Sequence, residues 1–307
     1  MTTPLGVILR QRIGNTPLLR FEKVTRSLQD VQLLAKAEWT NPSGSVKDRA
    51  ASNIVAEALR SGKLGSGQTL LDSTSGNTGI AYAMLGAAYG IPVTRCMPSN
   101  VSGERKRILR AYGATIVYTE PGEGSDGAIV KARELAAAEP DRYTYVDQYS
   151  NDANWQAHYK DGTADEIWHQ TEGRVTHFAA MLGTSGSFVG TSRRLKELNP
   201  AIRCISLQPD SPFHGIEGTK HMETSIVPKI YDARIADAEL GIDTEAAYAI
   251  VRRLAREEGL LVRVSSAGAL VGAMKIAQDA APGSVVVTIF PDSGDKYLSE
   301  HFWEETA

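Results

Sequence analysis

The sequence predicts an α/β protein with two domains, each a mainly parallel twisted sheet covered by helices. Its 307 residues are enough for two domains of about 150 residues each. From residue 45 onward, amphipathic helical stretches alternate with short Val/Ile/Leu-rich runs, which is typical of βαβ units. These runs are continuously apolar rather than alternating in polarity, and this favours parallel strands that are buried on both faces.

Gly, Pro and Ser residues bound the predicted elements along the chain. Stretches with helical periodicity predict helices over 45–62, 77–90, 102–114, 125–139, 187–198, 244–259 and 266–280. Short apolar runs between them predict strands over 69–73, 93–97, 115–119, 143–147, 177–182, 203–207 and 285–290. The crossing between halves is expected near residue 150, so the predicted domains are 1–148 and 149–307, with segment 13–35 a candidate for packing with the second domain. Residues 208–232 form a long irregular segment, which in a compact domain is usually functional.

Composition excludes several classes of function. The net charge is -3 and the Lys and Arg residues are scattered, so neither a nucleic acid nor a membrane surface is expected as a partner. The N-terminus does not read as a secretory signal and no apolar stretch reaches about 18 residues, so we expect a cytoplasmic protein. Two cysteines within apolar runs and six histidines without ligand spacing predict neither a disulfide framework nor a metal site. Small-molecule chemistry is the remaining expectation.

Two glycine-rich turns each follow a predicted strand and open a predicted helix. They are "TSGNTG", Thr74–Gly79, called here the asparagine turn, and "GTSGS", Gly183–Ser187, called the serine turn. The first N–H groups of a helix lack intrahelical partners, so such turns bind phosphate or carboxylate. Either turn alone is equally compatible with a capped helix start. Neither reads as a Walker A or GxGxxG motif, which disfavours a nucleotide site.

Lys47, in "NPSGSVKDRAA", could simply solvate the first turn of a helix. Beside two anion sites it acquires another interpretation, because a lysine with a desolvated amine can attack a carbonyl and form a Schiff base. Pyridoxal 5'-phosphate offers an aldehyde for the lysine and a phosphate for one turn. Its amino-acid substrates offer a carboxylate for the other.

Seven motifs in register identify a family resemblance. They are "IGNTPL", "NPSGSVKDRAA", "TSGNTGIA", "MPSNVSGERKRILRAYGA", "THF...GTSGSFVG", "VSSAGA" and "PDSGDKYLS". Carrying them, the chain resembles the cysteine synthases (O-acetylserine sulfhydrylases), and cysteine synthase B most, within the pyridoxal-phosphate fold type II (tryptophan synthase β) family. The resemblance runs nearly end to end and implies the two-domain fold of that family.

The resemblance implies roles for individual residues. Lys47 corresponds to the cofactor lysine, and Ser265 to the residue facing the pyridine nitrogen, with Ser266 the alternative. Asn77 would bind both the substrate carboxylate and the ring hydroxyl of the cofactor. The other residues implied for the substrate carboxylate are Thr74, Ser75, Thr78 and Gln148. The residues implied for the cofactor phosphate are Gly183, Thr184, Ser185, Gly186 and Ser187.

The implied reaction is a β-replacement. O-acetyl-L-serine would lose its β-substituent to give an aminoacrylate, Lys47 would act as the base for the α-proton, and sulfide or thiosulfate would add to give L-cysteine or S-sulfocysteine. O-phosphoserine as the acceptor, a serine/threonine dehydratase reaction, and a non-catalytic nucleotide-binding module remain alternatives. The family implies a homodimer, and binding of serine acetyltransferase stays open.

Three departures from the family pattern stand out. Ala164 and Asp165 replace a usual Gly-Pro, for which we expect a neutral surface change. Arg263 replaces a usual glycine, and it either alters access to the cofactor or points outward. Lys220 and His221 stand where cysteine synthase B has two arginines. We predict that both line the mouth of the cleft and favour an anionic co-substrate.

Overall fold

The computed structural model describes residues 3–28, 30–74 and 76–303, and the chain divides into two compact units. Unit 1 comprises Met1–Gly14 and Asn41–Asn154, and unit 2 comprises Asn15–Thr40 and Trp155–Ala307. Both units are therefore discontinuous in sequence, since Asn15–Thr40 of unit 2 separates the two segments of unit 1 and Asn41–Asn154 of unit 1 separates the two segments of unit 2.

Ten strands and ten α-helices are present in the described ranges. The strands are β1 (Leu18–Arg20), β2 (Gln32–Ala37), β3 (Thr69–Ser73), β4 (Val93–Pro98), β5 (Thr115–Thr119), β6 (Tyr143–Tyr145), β7 (His177–Met181), β8 (Arg203–Pro209), β9 (Ala238–Ile242) and β10 (Val285–Phe290). The helices are α1 (Leu5–Gln11), α2 (Lys47–Arg60), α3 (Asn77–Tyr89), α4 (Gly103–Ala111), α5 (Gly124–Ala138), α6 (Asp152–Gln156), α7 (Thr163–Gln170), α8 (Gly186–Leu198), α9 (Thr244–Arg253) and α10 (Val264–Asp279).

Unit 1 contains a four-stranded sheet in the order β5-β4-β3-β6, and every pairing in it is parallel. Its core lies between this sheet and α2 and α3. Buried side chains of that core are Ile54, Leu70, Ile80, Leu85 and Leu109. Helix α3 is buried along its first ten residues, which is why its sequence is apolar on all sides rather than amphipathic. A buried helix here fixes the asparagine turn that precedes it.

Unit 2 contains a six-stranded sheet in the order β1-β2-β10-β7-β8-β9. β1 pairs with β2 in antiparallel fashion, and the remaining four pairings are parallel. Buried apolar side chains fill both faces of this sheet, among them Phe178, Phe188, Ile205, Leu270 and Phe290. The prediction of mainly parallel sheets covered by helices is confirmed.

Every predicted helix and strand is present, with ends that shift by a few residues. The elements that were not predicted are α1, α6, α7, β1, β2 and β9. Helix α7 contains the Ala164 and Asp165 departure, and the expectation that this change lies at the surface is wrong, while its neutrality stays a prediction. Ala164 is fully buried, and Asp165 accepts a hydrogen bond from Nε of Arg194 at 2.8 Å.

Candidate functional site

Lys47 is the first residue of α2, and the loop before it is held by its own polar groups. Gly44 has a φ of +84°, a value that favours glycine, and its N–H donates to the carbonyl of Asn41 at 2.8 Å. The side chain of Asn41 accepts the N–H of Gly14 at 2.8 Å. The Ser45 hydroxyl accepts the N–H of Lys47 at 3.2 Å. These bonds fix the point at which α2 begins.

The side chains next to Lys47 are buried. Asp48 is 0% exposed and accepts hydrogen bonds from both the N–H, at 2.6 Å, and the hydroxyl of Ser43. Arg49 is 5% exposed, and Lys47 itself is half-buried. A lysine that only solvated a first turn would be exposed, so the partial burial of Lys47 argues against that interpretation.

The asparagine turn connects β3 to the buried helix α3. The N–H of Thr74 donates to the carbonyl of Cys96 in β4 at 3.0 Å, and the Thr74 hydroxyl accepts the N–H of Gly76 at 3.2 Å. Asn77 and Thr78 are the first two residues of α3 and are 7% and 2% exposed. Within the described ranges, a methyl group at Gly76 would contact no atom within 4 Å. The turn therefore opens into free space beside the helix N-terminus.

Gln148 is tied to this turn by its side chain. Its amide nitrogen donates to the carbonyl of Ser73 at 2.8 Å, and its amide oxygen accepts the hydroxyl of Thr78 at 2.8 Å. Its main-chain N–H donates to the carboxylate of Asp72 at 3.3 Å. The structure thus brings Gln148 and Thr78, which are 70 residues apart in sequence, into direct contact.

Two buried ionisable side chains that the sequence analysis missed lie at the same end of unit 1. Asp72 and Arg95 are both 0% exposed, and they are paired in register on the neighbouring strands β3 and β4. The Arg95 guanidinium lies 4.4 Å from the ring centroid of Tyr82. Burial raises the pKa of Asp72 to about 7, although the charge of Arg95 acts in the opposite direction. A methyl group at Gly79 would lie 3.4 Å from Cδ of Arg95, so Arg95 packs directly under the start of α3.

The serine turn connects β7 to the 13-residue helix α8. Ser185 caps that helix with a φ of +68°, in the left-handed region, and is 3% exposed. Among the described residues its buried Oγ has no hydrogen-bond partner. A buried hydroxyl without a partner costs about 1–3 kcal/mol. This atom stands beside free helix N–H groups, where an anion would satisfy it.

His158 supports the serine turn and was not predicted from sequence. Oγ of Ser187 lies 3.3 Å from Nε2 of His158, and Nδ1 of His158 lies 2.8 Å from the hydroxyl of Thr163 in α7. His158 is 1% exposed. The histidine therefore links the first turn of α8 to the first turn of α7. No motif around it in the sequence signals this role.

The long irregular segment reaches the serine turn through Gly218 and Lys220. A methyl group at Gly183 would lie 2.5 Å from the carbonyl oxygen of Gly218, so only glycine fits at that position. The N–H of Lys220 donates to the carbonyl of Leu182 at 2.8 Å, and Lys220 is 6% exposed. His221 is half-buried, and its Nδ1 lies 3.0 Å from the hydroxyl of Thr224.

Ser265 is the second residue of α10 and is 4% exposed. The neighbouring Ser266 donates its hydroxyl to the carbonyl of Asp292 at 3.3 Å. Arg263, just before the helix, is 5% exposed and forms an ion pair with Glu217 at 2.9 Å. The alternative in which Arg263 points outward is therefore wrong.

The predicted site residues fall into two groups, one in each unit. Those in unit 1 are Lys47, Thr74, Asn77, Thr78 and Gln148. Those in unit 2 are Gly183, Thr184, Ser185, Gly186, Ser187, Lys220, His221 and Ser265. The remaining predicted residue, Ser75, lies outside the described residues.

Two other features, a metal site and a membrane-spanning helix, are absent from the described residues. These residues contain no group of three or more His, Cys, Asp or Glu side chains that could hold a metal ion. Nor does any of their helices combine the length and apolar character that a membrane crossing requires. Cys96 and Cys204 are both buried, and burial raises the pKa of each thiol to about 11.

Comparison with known sequences gives consistent matches. The family model described as "Pyridoxal-phosphate dependent enzyme" matches residues 9–292. A cysteine synthase from Aquifex aeolicus is 49% identical over 292 residues, which cover 94% of this chain and 89% of the relative. Cysteine synthase B from Salmonella typhimurium is 40% identical, with 96% of this chain and 97% of the relative covered.

Solved structures agree with these matches. The crystal structure of a cysteine synthase from Entamoeba histolytica superposes with a TM-score of 0.92 at 33% identity, covering 100% of this chain and 94% of the other. An O-acetylserine dependent cystathionine beta-synthase from Helicobacter pylori superposes with a TM-score of 0.90 at 37% identity, covering 96% of this chain and 98% of the other.

Proposed function

Because the chain belongs to the family of pyridoxal-phosphate-dependent enzymes, we propose that it is a cysteine synthase that forms L-cysteine from O-acetyl-L-serine and sulfide. The observation that carries the reaction is the near full-length similarity to cysteine synthases of two bacteria. The similar enzyme from Helicobacter pylori is O-acetylserine dependent, which favours this acceptor over O-phosphoserine. The same similarity favours cysteine synthesis over a dehydratase reaction.

The serine turn is proposed to hold the phosphate of pyridoxal 5'-phosphate. The fit rests on the buried Oγ of Ser185, which has no hydrogen-bond partner among the described residues, and on the N-terminus of α8 beside it. Gly183, Thr184, Gly186 and Ser187 complete the proposed phosphate site. A hydroxyl that donates to a charged phosphate contributes about 1.5–3 kcal/mol, so the hydroxyls of Thr184, Ser185 and Ser187 should each affect how firmly the cofactor is retained.

Lys47 is proposed to hold the cofactor aldehyde through its amine. Its position supports this role, since it heads α2 between buried residues on a loop that is fixed by hydrogen bonds. When bound, the cofactor withdraws electrons from the bonds at the α-carbon of an amino acid. Ser265 is proposed to face the pyridine nitrogen. A neutral hydroxyl there would leave the nitrogen unprotonated and favour loss of a β-substituent over reprotonation of the α-carbon.

The asparagine turn is proposed to bind the carboxylate of the substrate. Thr74, Asn77 and Thr78 present hydroxyl and amide groups at the N-terminus of α3, where a carboxylate is favoured by the helix dipole. Gln148 completes the proposed site through its bond to Thr78. Ser75 is proposed to contribute as well. Asn77 is further proposed to contact the ring hydroxyl of the cofactor.

In the proposed reaction the protein moves one proton at the α-carbon. Once the amine of O-acetylserine has replaced Lys47 on the cofactor, the freed Nζ of Lys47 would take the α-proton, and acetate would leave the β-carbon with the bonding electron pair. The sulfur of sulfide then bonds to the β-carbon, and Nζ of Lys47 returns a proton to the α-carbon. Holding the amine next to the reacting carbon makes this transfer intramolecular.

A lysine substitution tests the proposal. Lys47→Ala should abolish cysteine formation and the visible absorbance of the covalently held cofactor, while the circular dichroism spectrum stays unchanged. Lys131→Ala is the matched control, because Lys131 is an exposed helical lysine of the same unit. Near-normal product formation by Lys47→Ala would contradict the mechanism.

A second proposal concerns the co-substrate. Lys220 and His221 are proposed to favour an anionic co-substrate such as thiosulfate, which would give S-sulfocysteine. Its support is one of location, since the main-chain N–H of Lys220 donates to the carbonyl of Leu182, directly before the serine turn. Lys220→Ala should lower the rate with thiosulfate more than the rate with sulfide, and the same comparison applies to O-phosphoserine against O-acetylserine. An equal effect on both members of each pair would exclude this role.

The family resemblance also supports proposals about the state of the protein. We propose a homodimer in the cytoplasm with small-molecule substrates, and we propose serine acetyltransferase as a partner to be tested. Light scattering of the purified protein, alone and mixed with that enzyme, would test both assemblies. A monomer that does not change on mixing would contradict them.

A further inference from the structure

Arg263 is anchored at the start of the helix that carries Ser265. Its carbonyl accepts the N–H groups of Ser266 at 2.9 Å and Ala267 at 3.2 Å, and its own N–H donates to the carbonyl of Asp292 at 3.4 Å. The backbone of Arg263 is therefore fixed relative to α10.

The guanidinium of Arg263 is held on three sides. Nη2 pairs with Oε2 of Glu217 at 2.9 Å, and Nη1 lies 3.8 Å from Oδ2 of Asp292. The guanidinium also lies 4.3 Å from the ring centroid of Tyr297, whose hydroxyl donates to Asp292 at 2.7 Å. A planar cation that pairs with carboxylates and stacks on an aromatic ring uses features that only arginine combines.

Residues 217–220, called here the 217–220 turn, lie between Arg263 and the serine turn. Gly218 has a φ of +88°, and a methyl group on it would lie 2.9 Å from Nη1 of Arg263. The carbonyl oxygen of Gly218 faces Gly183, where an added methyl group would lie 2.5 Å from it. Arg263 therefore contacts one side of the 217–220 turn, and the serine turn contacts its other side.

We infer that Arg263 is a positioning residue that holds the 217–220 turn in contact with the serine turn and thereby sets how firmly the cofactor phosphate is held. This inference rests on the proposed function. It adds a third interpretation to the two that the sequence left for this position, of which the outward orientation is excluded by burial. A glycine here would leave the turn without the ion pair between Glu217 and residue 263.

Hydrogen exchange and cofactor binding test the inference on the holoenzyme. In Arg263→Met, the amide of Lys220 should exchange about tenfold faster or more, and pyridoxal 5'-phosphate should bind about 10- to 100-fold more weakly, the equivalent of one lost charged hydrogen bond. Arg263→Lys should restore only part of both. Arg234→Met is the control, because the side chain of Arg234 is 90% exposed, and it should change neither.

A partner variant keeps the test decisive if Arg263→Met fails to fold. Glu217→Gln removes the ion pair from its more exposed side, where Glu217 is 41% exposed, and should raise the exchange rate in the same direction. Unchanged exchange and unchanged cofactor affinity in both variants would overturn the inference. A parent protein that binds no pyridoxal 5'-phosphate would instead overturn the proposed function, and the exchange measurement would still decide whether Arg263 positions the turn.

Discussion

Replacing Gly183 with alanine tests the contact between the serine turn and the 217–220 turn. The added methyl group would lie 2.5 Å from the Gly218 carbonyl oxygen, about 0.9 Å short of the 3.4 Å at which ordinary contacts begin. Relief requires the backbone to move, because the carbonyl oxygen belongs to the backbone and the methyl group is bonded directly to the α-carbon of residue 183. The hydrogen bond from Lys220 to Leu182, at 2.8 Å, ties the same two segments together and would stretch as they separate.

The expected cost follows from these two effects. Overpacking of this kind costs about 1–3 kcal/mol, and loss of the neighbouring hydrogen bond adds about 1 kcal/mol. The melting temperature of the holoenzyme should fall by on the order of 5–10 °C. Retention of the cofactor after dialysis should fall as well, because the displaced residue belongs to the proposed phosphate site.

Differential scanning calorimetry on Gly183→Ala and Gly122→Ala would measure this cost. Gly122 is a suitable control, because a methyl group there would meet no atom within 4 Å among the described residues. If the two variants melt together and retain the cofactor equally, the serine turn is not pressed against Gly218 and the reasoning fails.

Three further predictions follow from buried charges and thiols. Because the folded state keeps a proton on Asp72 up to about pH 7, the free energy of unfolding should fall as pH rises from about 4 to 7. Melting curves recorded across this range should show a loss of up to about 1.4 kcal/mol per pH unit in the parent relative to Asp72→Asn. Glu166→Gln removes the carboxylate that lies 2.6 Å from the fully buried amine of Lys36. Thermal denaturation should show a free energy of unfolding lower by about 3–5 kcal/mol, whereas a loss below about 1 kcal/mol is what a surface ion pair would give. Cys96 and Cys204 should resist a thiol reagent at pH 8 until the protein is denatured, and rapid labelling of the native protein would contradict their burial.

The sequence predicted the repeating βαβ elements well because their patterns are long and locally complete. The strands it missed lack such a pattern. β2 reads "QLLAKA" and contains Lys36, whose charge interrupts the apolar run although the side chain is fully buried. β1 has only three residues, and β9, at the edge of the sheet, has an alternating burial pattern that a search for continuously apolar runs passes over.

At the candidate site, the sequence predicted residues that lie in motifs and missed those that act through tertiary contacts. Lys47 and the two turns could be found because their spacing carries the chemistry. Asp72 and His158 stand in no motif, and their significance depends on burial and on partners that are distant in sequence. The ion pair of Arg263 with Glu217 joins residues 46 positions apart, which no local pattern can indicate.

The insertion of Asn41–Asn154 between the two segments of unit 2 has a consequence for synthesis on the ribosome. β2 pairs in parallel with β10, and Gln32 finds its partner at Val285, about 250 residues later in the chain. At about 5–20 residues per second, β2 leaves the ribosome roughly 12–50 s before that partner exists. Unit 1 is completed within this interval and can fold first, while the β1–β2 hairpin remains an open edge that a chaperone or a second nascent chain could occupy.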